Sequence, residues 1–358
     1  MAERDKSNDG RARGAQPRSS VRMVDVARAA GVSPMTVSRA LRGNAAVARG
    51  TRERVLEVID QLGYVPDQIA GGLSSQRSGF VVAAVPSLNN PHFAETVTTL
   101  TTTLREAGLQ LILGHTDYRQ DTEEELLISL LGRRPEAVVL TYDGHTERTK
   151  KLLRTADVPV IEIWEAPSDP LEHVVGFSNY EASHALTGKL IRAGYRKLVF
   201  LGEKIDEATR GSARRLGFAD AMRAAGLDGD RQVSYGCPPI SGHTGAAALP
   251  RVLQQWPDVD CIVCVSDPCA FGVLTECQRR SIAVPETIAI AGFGNFDVST
   301  LAVPSITTMS VDATAIGRKA GEVVLLARDA AKEGRCLPPQ CHHIPAIPQF
   351  RQTTRADV

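Results

Sequence analysis

VRMVDVARAAGVSPMTVSRALR, residues 21–42, reads as two short helices joined by a tight turn. Met23, Val26, Ala27 and Ala30 recur at helical spacing and give the first helix one apolar face. Gly31 stands where that helix should stop, because glycine enters a left-handed conformation at little cost. Ser33 then offers a hydroxyl to cap a second helix, Met35 to Leu41, with Pro34 at a position where a missing N–H is harmless. That helix buries Val37 and presents Thr36, Ser38 and Arg39. The spacing of Ala27, Gly31 and Val37 lets two helices cross closely, as in a helix-turn-helix, and implies a DNA-reading head.

Asp25-Val26-Ala27, Ala30-Gly31-Val32-Ser33 and Thr36-Val37-Ser38-Arg39 resemble the N-terminus of lactose-repressor-type regulators. The resemblance implies DNA contacts from Arg22, Ser33, Pro34, Met35, Thr36, Ser38 and Arg39. Arg39 is the candidate for a bidentate guanine contact, and Pro34 and Met35 for apolar contact with thymine methyls.

At 358 residues the chain is too long for one ordinary core. Its zero net charge hides an uneven distribution. Residues 1–78 carry 13 Lys and Arg against 8 Asp and Glu, so a mildly basic head precedes an acidic body. No apolar run approaches the roughly 18 residues that a membrane span needs. Residues 1–20 lack the apolar core of a signal peptide and read as a disordered tail, so a cytoplasmic, nucleoid-associated location is expected. The seven cysteines all follow residue 230 and form no disulfide framework. Cys261 and Cys264 lie on a predicted strand, where residues three apart face opposite ways, and Cys341-His342-His343 has no matching second pair. No metal site is expected.

A third helix, roughly 50 to 63, closes a head spanning 21–66, and Pro66 ends it. Residues 67–78 form a linker where the resemblance places a hinge helix that orders on operator DNA. Leu73 holds the position of a minor-groove wedge, although Gly71 and Gly72 each cost about 1 kcal/mol of helix stability relative to alanine.

From Gly79 the pattern becomes strand–helix alternation, with apolar runs at 80–85, 109–113, 137–141 and 158–163. A second series follows at 198–201, 233–235, 261–265 and 287–291. One helix is expected to open on a capping box, Thr122-x-x-Glu125. Continuous apolar strands alternating with helices imply an α/β body of parallel sheets covered on both faces. The body resembles the two-lobed, periplasmic-binding-protein-like effector domain of the same regulators. Lobe 1 is expected over 79–177 plus about 306–330, and lobe 2 over 178–305 plus about 331–358. The resemblance spans about residues 21 to 330.

Candidate effector residues follow from position and chemistry. His92 and Phe93 sit in Asn89-Asn90-Pro91-His92-Phe93, just after the first strand, where open α/β sheets bind ligands. Arg210 and Arg214 are four apart near a helix start, a good seat for a carboxylate. Arg214 also matches the family's effector-contacting arginine, and Asp267 matches its acceptor of sugar hydroxyls. Ile288 to Gly294 looks like a strand entering a dinucleotide turn, but Asp297 stands where a third glycine belongs. No catalytic set and no cofactor are expected.

Segments such as Val175 to Ala182 and Ile288 to Phe293 resemble the gluconate-utilisation repressors of the family. The expectation is a homodimeric, non-enzymatic repressor of sugar-acid metabolism, released from a palindromic operator by a small effector such as gluconate. No C-terminal heptad helix suggests a tetramer. Two alternatives stay open: a phosphorylated sugar or partner protein acting as corepressor, and, more distantly, a sugar-binding or NAD-dependent α/β protein.

Overall fold

The computed structural model describes residues 21–41, 46–65, 78–141, 144–204 and 210–355. Leu73, Gly71, Gly72 and the expected tail and hinge therefore lie outside the described residues. The chain divides into two compact units, Met1–Gln76 and Arg77–Val358.

In the first unit, α1 (Met23–Ala30), α2 (Pro34–Leu41) and α3 (Arg49–Leu62) pack around Val26, Ala27, Ala30, Val37, Ala40, Val55 and Tyr64. Helix α1 stops because Gly31 adopts φ +65°, and the next N–H, that of Val32, bonds the Ala27 carbonyl at 3.0 Å. Ser33 Oγ accepts from the Thr36 N–H at 3.2 Å and so caps α2, whose first residue is Pro34.

The second unit holds two parallel sheets, and β-strands buried on both faces explain their apolar runs. The first sheet has the order β11-β5-β4-β3-β1-β2, from β1 (Phe80–Val85), β2 (Gln110–His115), β3 (Val138–Thr141), β4 (Val160–Ile163), β5 (His173–Gly176) and β11 (Cys341–His343). It is flanked by α4 (Pro91–Glu106), α5 (Gln120–Leu131), α6 (Glu147–Thr155) and α12 (Ala313–Lys332). The second sheet has the order β7-β6-β8-β9, from β6 (Leu198–Gly202), β7 (Gln232–Ser234), β8 (Cys261–Cys264) and β9 (Ala289–Ala291). Its helices are α7 (Asn179–Arg192), α8 (Arg210–Ala224), α9 (Gly242–Gln255), α10 (Asp267–Arg279) and the short α11 (Asp297–Leu301). An antiparallel pair, β10 (Thr308–Ser310) and β12 (Ile347–Gln349), lies where the chain crosses between lobes.

Helices α7 and α8 pack tightly because Gly217 has no side chain. A Cβ there would lie 2.2 Å from the Tyr180 carbonyl oxygen. This close approach sets Arg214, one turn earlier on α8, beside the first residue of α7.

Two expectations are corrected. Residues 331–358 do not all belong to the second lobe. Cys341–His343 pairs in parallel with His173–Gly176 at the edge of the first sheet, while Thr353 exchanges hydrogen bonds with Ile290 of the second. The Thr122-x-x-Glu125 capping box is not formed either. The helix starts at Gln120, and the Thr122 N–H donates to Asp121 Oδ1 at 2.8 Å, so Thr122 lies within the first turn.

On the outer face of the first sheet, His145 is buried between two carboxylates. Its Nδ1 is 2.6 Å from Glu123 Oε1, and its Nε2 is 3.5 Å from Glu162 Oε1. Burial alone would depress the imidazole, but hydrogen bonds and charge from Glu123 and Glu162 outweigh it and hold the pKa up at about 9. A histidine whose folded pKa exceeds its unfolded value stabilises the fold fully below the unfolded pKa. That contribution is lost as pH rises through the folded one. We therefore expect the stability difference between wild type and His145→Gln to shrink by about 2 kcal/mol between pH 7 and pH 9.5 in urea unfolding. A difference independent of pH would show that His145 is neutral in the fold.

Candidate functional site

The first unit presents one continuous exposed surface from the turn and α2. Ser33, Pro34, Met35 and Arg39 are exposed, and Thr36 and Ser38 are half-buried beside them. Met35 is 58% exposed, so its apolar side chain is available on this surface. Arg22 is exposed at the start of α1, its backbone N–H donating to Asp25 Oδ2 at 2.9 Å. The α2 segment contains no acidic residue. An uncharged-to-basic helix face of this size suits the major groove of DNA.

The second unit has a cleft of about 120 Å³. Its walls come from the C-terminal ends of the strands, where side chains can converge without disturbing either sheet. Asn90, His92 and Phe93 follow β1, Trp164 follows β4, and Glu203 follows β6. Val265 and Ser266 follow β8, Phe293 and Gly294 follow β9, and Arg210 and Arg214 stand on the first two turns of α8.

Both guanidiniums lie against aromatic rings. The Arg210 Cζ is 5.0 Å from the centre of Phe93, and the Arg214 Cζ is 3.8 Å from that of Phe293. Arg214 Nε donates to Asn179 Oδ1 at 2.8 Å, and its Nη1 donates to the Val265 carbonyl at 2.7 Å. Fixed in this way, the group is a preorganised cation on the cleft wall.

His92 is 9% exposed, and its ring centre is 4.1 Å from that of Phe296 and 5.7 Å from that of Trp164. Asn90 Oδ1 accepts from the His92 N–H at 3.0 Å and caps α4. Burial pushes the imidazole down to about 4 and the Arg214 charge adds to this, so His92 is neutral at physiological pH. The Gly294 backbone beside the imidazole opposes that depression without reaching good hydrogen-bond geometry, and the indole N–H of Trp164 has no partner among the described residues. Buried polar atoms are ordinarily satisfied, so these atoms are exceptions within the described residues. Trp164 also has φ +74°, a strained conformation for a bulky residue and a common feature of ligand clamps.

Asp267 does not line the cleft, which corrects its assignment as an acceptor of effector hydroxyls. Its side chain is fully buried behind the wall. Oδ1 accepts from Thr308 Oγ1 at 2.6 Å, and Oδ2 accepts from the Phe296 N–H at 2.8 Å. It thus holds the segment that carries Phe293, Gly294 and Phe296. The cleft's own carboxylate is Glu203, which sequence reasoning missed along with Trp164. The ring neighbours of Trp164 are His92 and Phe93 of α4 and Phe177 just after β5, so nothing local in the sequence signals its role.

Residues 22–67 match the family described as bacterial regulatory proteins, lacI family. Residues 78–337 match periplasmic binding proteins and the sugar binding domain of the LacI family. The HTH-type transcriptional regulator GntR of Pseudomonas aeruginosa is 35% identical, over 87% of this chain and 90% of that protein. The HTH-type transcriptional regulator IdnR of Escherichia coli K12 is 32% identical, over 85% of this chain and 91% of that protein. Among solved structures, a LacI family transcriptional regulator from Silicibacter pomeroyi superposes with a TM-score of 0.74. It is 49% identical, and the match covers 77% of this chain and 99% of that one.

Burial pushes the Asp267 carboxyl up to about 6, against the pull of the Thr308 hydroxyl, the backbone N–H groups of Phe296 and Asn295 and the charge of Arg351. For a carboxylic acid raised in this direction, the folded state binds the proton more tightly. Stability is therefore gained as pH falls from about 6 toward the unfolded value. Between pH 7 and pH 5, wild type should gain about 1 kcal/mol relative to Asp267→Asn in urea unfolding. Equal shifts in the two proteins would show that Asp267 ionises as an ordinary surface carboxyl.

Proposed function

We propose a sugar-acid effector for this chain, which belongs to the lacI family of bacterial regulatory proteins and is a DNA-binding transcriptional regulator. Its relatives are named as transcriptional regulators, not as enzymes.

The observation that carries the proposal is the pairing of two aromatic-backed guanidiniums with the buried ring nitrogens of His92 and Trp164 in one cleft. Two cations against one wall carboxylate, Glu203, leave the cleft positive, which favours an anionic ligand. The neutral imidazole, the indole N–H and the Glu203 carboxylate suit hydroxyls. A polyol bearing one carboxylate meets both demands. Gluconate or a close relative is such a molecule, and the resemblance of residues 175–182 and 288–293 to gluconate-utilisation repressors supports the same choice.

In this reading the chain is a homodimeric repressor acting in the cytoplasm. Two heads read a palindromic operator, with Arg39 on a guanine and Pro34 and Met35 against thymine methyls. Leu73 wedges into the minor groove. The sugar acid binds one lobe arrangement better than the other, and that difference in affinity releases the operator.

Calorimetry with gluconate, glucose and gluconate 6-phosphate tests the effector. Gluconate should bind at least about tenfold tighter than glucose, because only the acid can make a charge-assisted contact with the two guanidiniums. Equal affinities would remove the case for an acid, and a preference for the phosphate would keep the arginines and change the ligand. Arg214→Ala should lose the response to gluconate while keeping its operator affinity.

In the head, Arg39→Ala should weaken operator binding by about 1–3 kcal/mol and relax the preference at one base pair, measured by fluorescence anisotropy. An equal loss on operator and scrambled DNA would make Arg39 a phosphate contact.

A further inference from the structure

We propose that Asn179 is the positioning residue that ties the two walls of the cleft together and couples its occupancy to the arrangement of the lobes. The proposal rests on reading the cleft as the effector site. Asn179 is the first residue of α7, immediately after the chain leaves the first sheet at Gly176 and enters the second lobe. Its side chain is fully buried, and its polar atoms are spent on both walls. Oδ1 accepts from Arg214 Nε at 2.8 Å, on the second lobe. Nδ2 donates to the Trp164 carbonyl at 3.3 Å and to Glu165 Oε2 at 2.7 Å, at the end of β4 in the first. Glu165 in turn accepts from the Asn179 and Ala166 backbone N–H groups at 3.2 to 3.4 Å.

An amide has one acceptor and two donors, and here each serves a cleft-forming element. A side chain needed only to fill space would require none of these bonds. The bond to Trp164 reaches a residue held at φ +74°, a conformation that persists only when its surroundings enforce it. Asn179 therefore supports the strained backbone that aims the indole and the guanidinium that faces it. Movement of Arg214 toward a carboxylate pulls on Asn179. Asn179 transmits that movement to Trp164 across the crossover at 177–178.

Two readouts on the full chain test this, one of which needs no ligand. The chain has two tryptophans, so in a Trp256→Phe background the emission comes from Trp164. Asn179→Ala should shift that emission to longer wavelength and raise its quenching by iodide. Asn179→Asp keeps the acceptor for Arg214 and loses both donors. It should change the emission in the same way while keeping the preference for gluconate over glucose, and it carries the test if the alanine variant does not fold. In titrations with gluconate, Asn179→Ala should weaken binding by about 10- to 100-fold in the otherwise natural chain. It should weaken the residual gluconate binding of Arg214→Ala, which lacks the response but not all affinity, by less than about twofold, since the two residues act through one another. Unchanged Trp164 emission in the folded variants, or equal losses of affinity in both backgrounds, would overturn the proposal. If the natural chain binds no gluconate, the effector assignment fails, and the emission of the two variants alone decides for or against Asn179.

Discussion

A guanidinium can be held beside a phenyl ring, away from bulk water, only if oxygen atoms satisfy its N–H groups, and the effector lobes are built around that requirement at Arg214. The carbonyl of Val265 comes from the end of β8, the amide oxygen of Asn179 from the start of α7, and the ring of Phe293 from the loop after β9. Each supporting group stands where a strand hands over to a loop or helix. The parallel sheet thus does more than fill the lobe. It delivers three unrelated stretches of chain to one cation, and the close α7–α8 contact at Gly217 keeps that cation in register with them.

Buried carboxylates serve the same end from behind. Asp267 and Glu165 are buried and accept from backbone N–H groups of the segments next to the wall. A buried charge of this kind contributes less to net stability than to fixing one loop conformation among several. The cleft therefore combines an aromatic and cationic lining with an acidic backing. The sign of the charge that a ligand meets differs from the sign of the layer that shapes the wall.

The head and most of the α/β alternation were legible in the sequence because their signals are local. Gly31, Ser33 and Pro34 act within one turn of chain, and strands such as Phe80–Val85 are continuous apolar runs. Cys341–His343 was not legible, since a polar edge strand has no apolar run to reveal it and depends on His173–Gly176 far upstream for its pairing. The arginine pair was found through its helical spacing. Trp164 and Glu203 were not, because a single residue after a strand acquires meaning only from neighbours brought together by the fold. Asp267 was misplaced for a related reason. Its sequence position puts it at the mouth of the cleft, while the donors that turn its carboxylate inward lie 29 and 41 residues away, at Phe296 and Thr308.

The return of the C-terminal chain to both lobes bears on how the protein folds as it is made. The first sheet lacks its edge strand until residues 341–343 exist, and α4 lacks the helix packed on it until 313–332 have been synthesised. The second sheet waits for Thr353 to bond Ile290. Each lobe can gather much of its core earlier, but neither is complete on the ribosome until the C-terminal segment has emerged. Their partly built sheets must wait with unpaired edges and uncovered apolar faces, the condition in which a nascent chain most needs a chaperone.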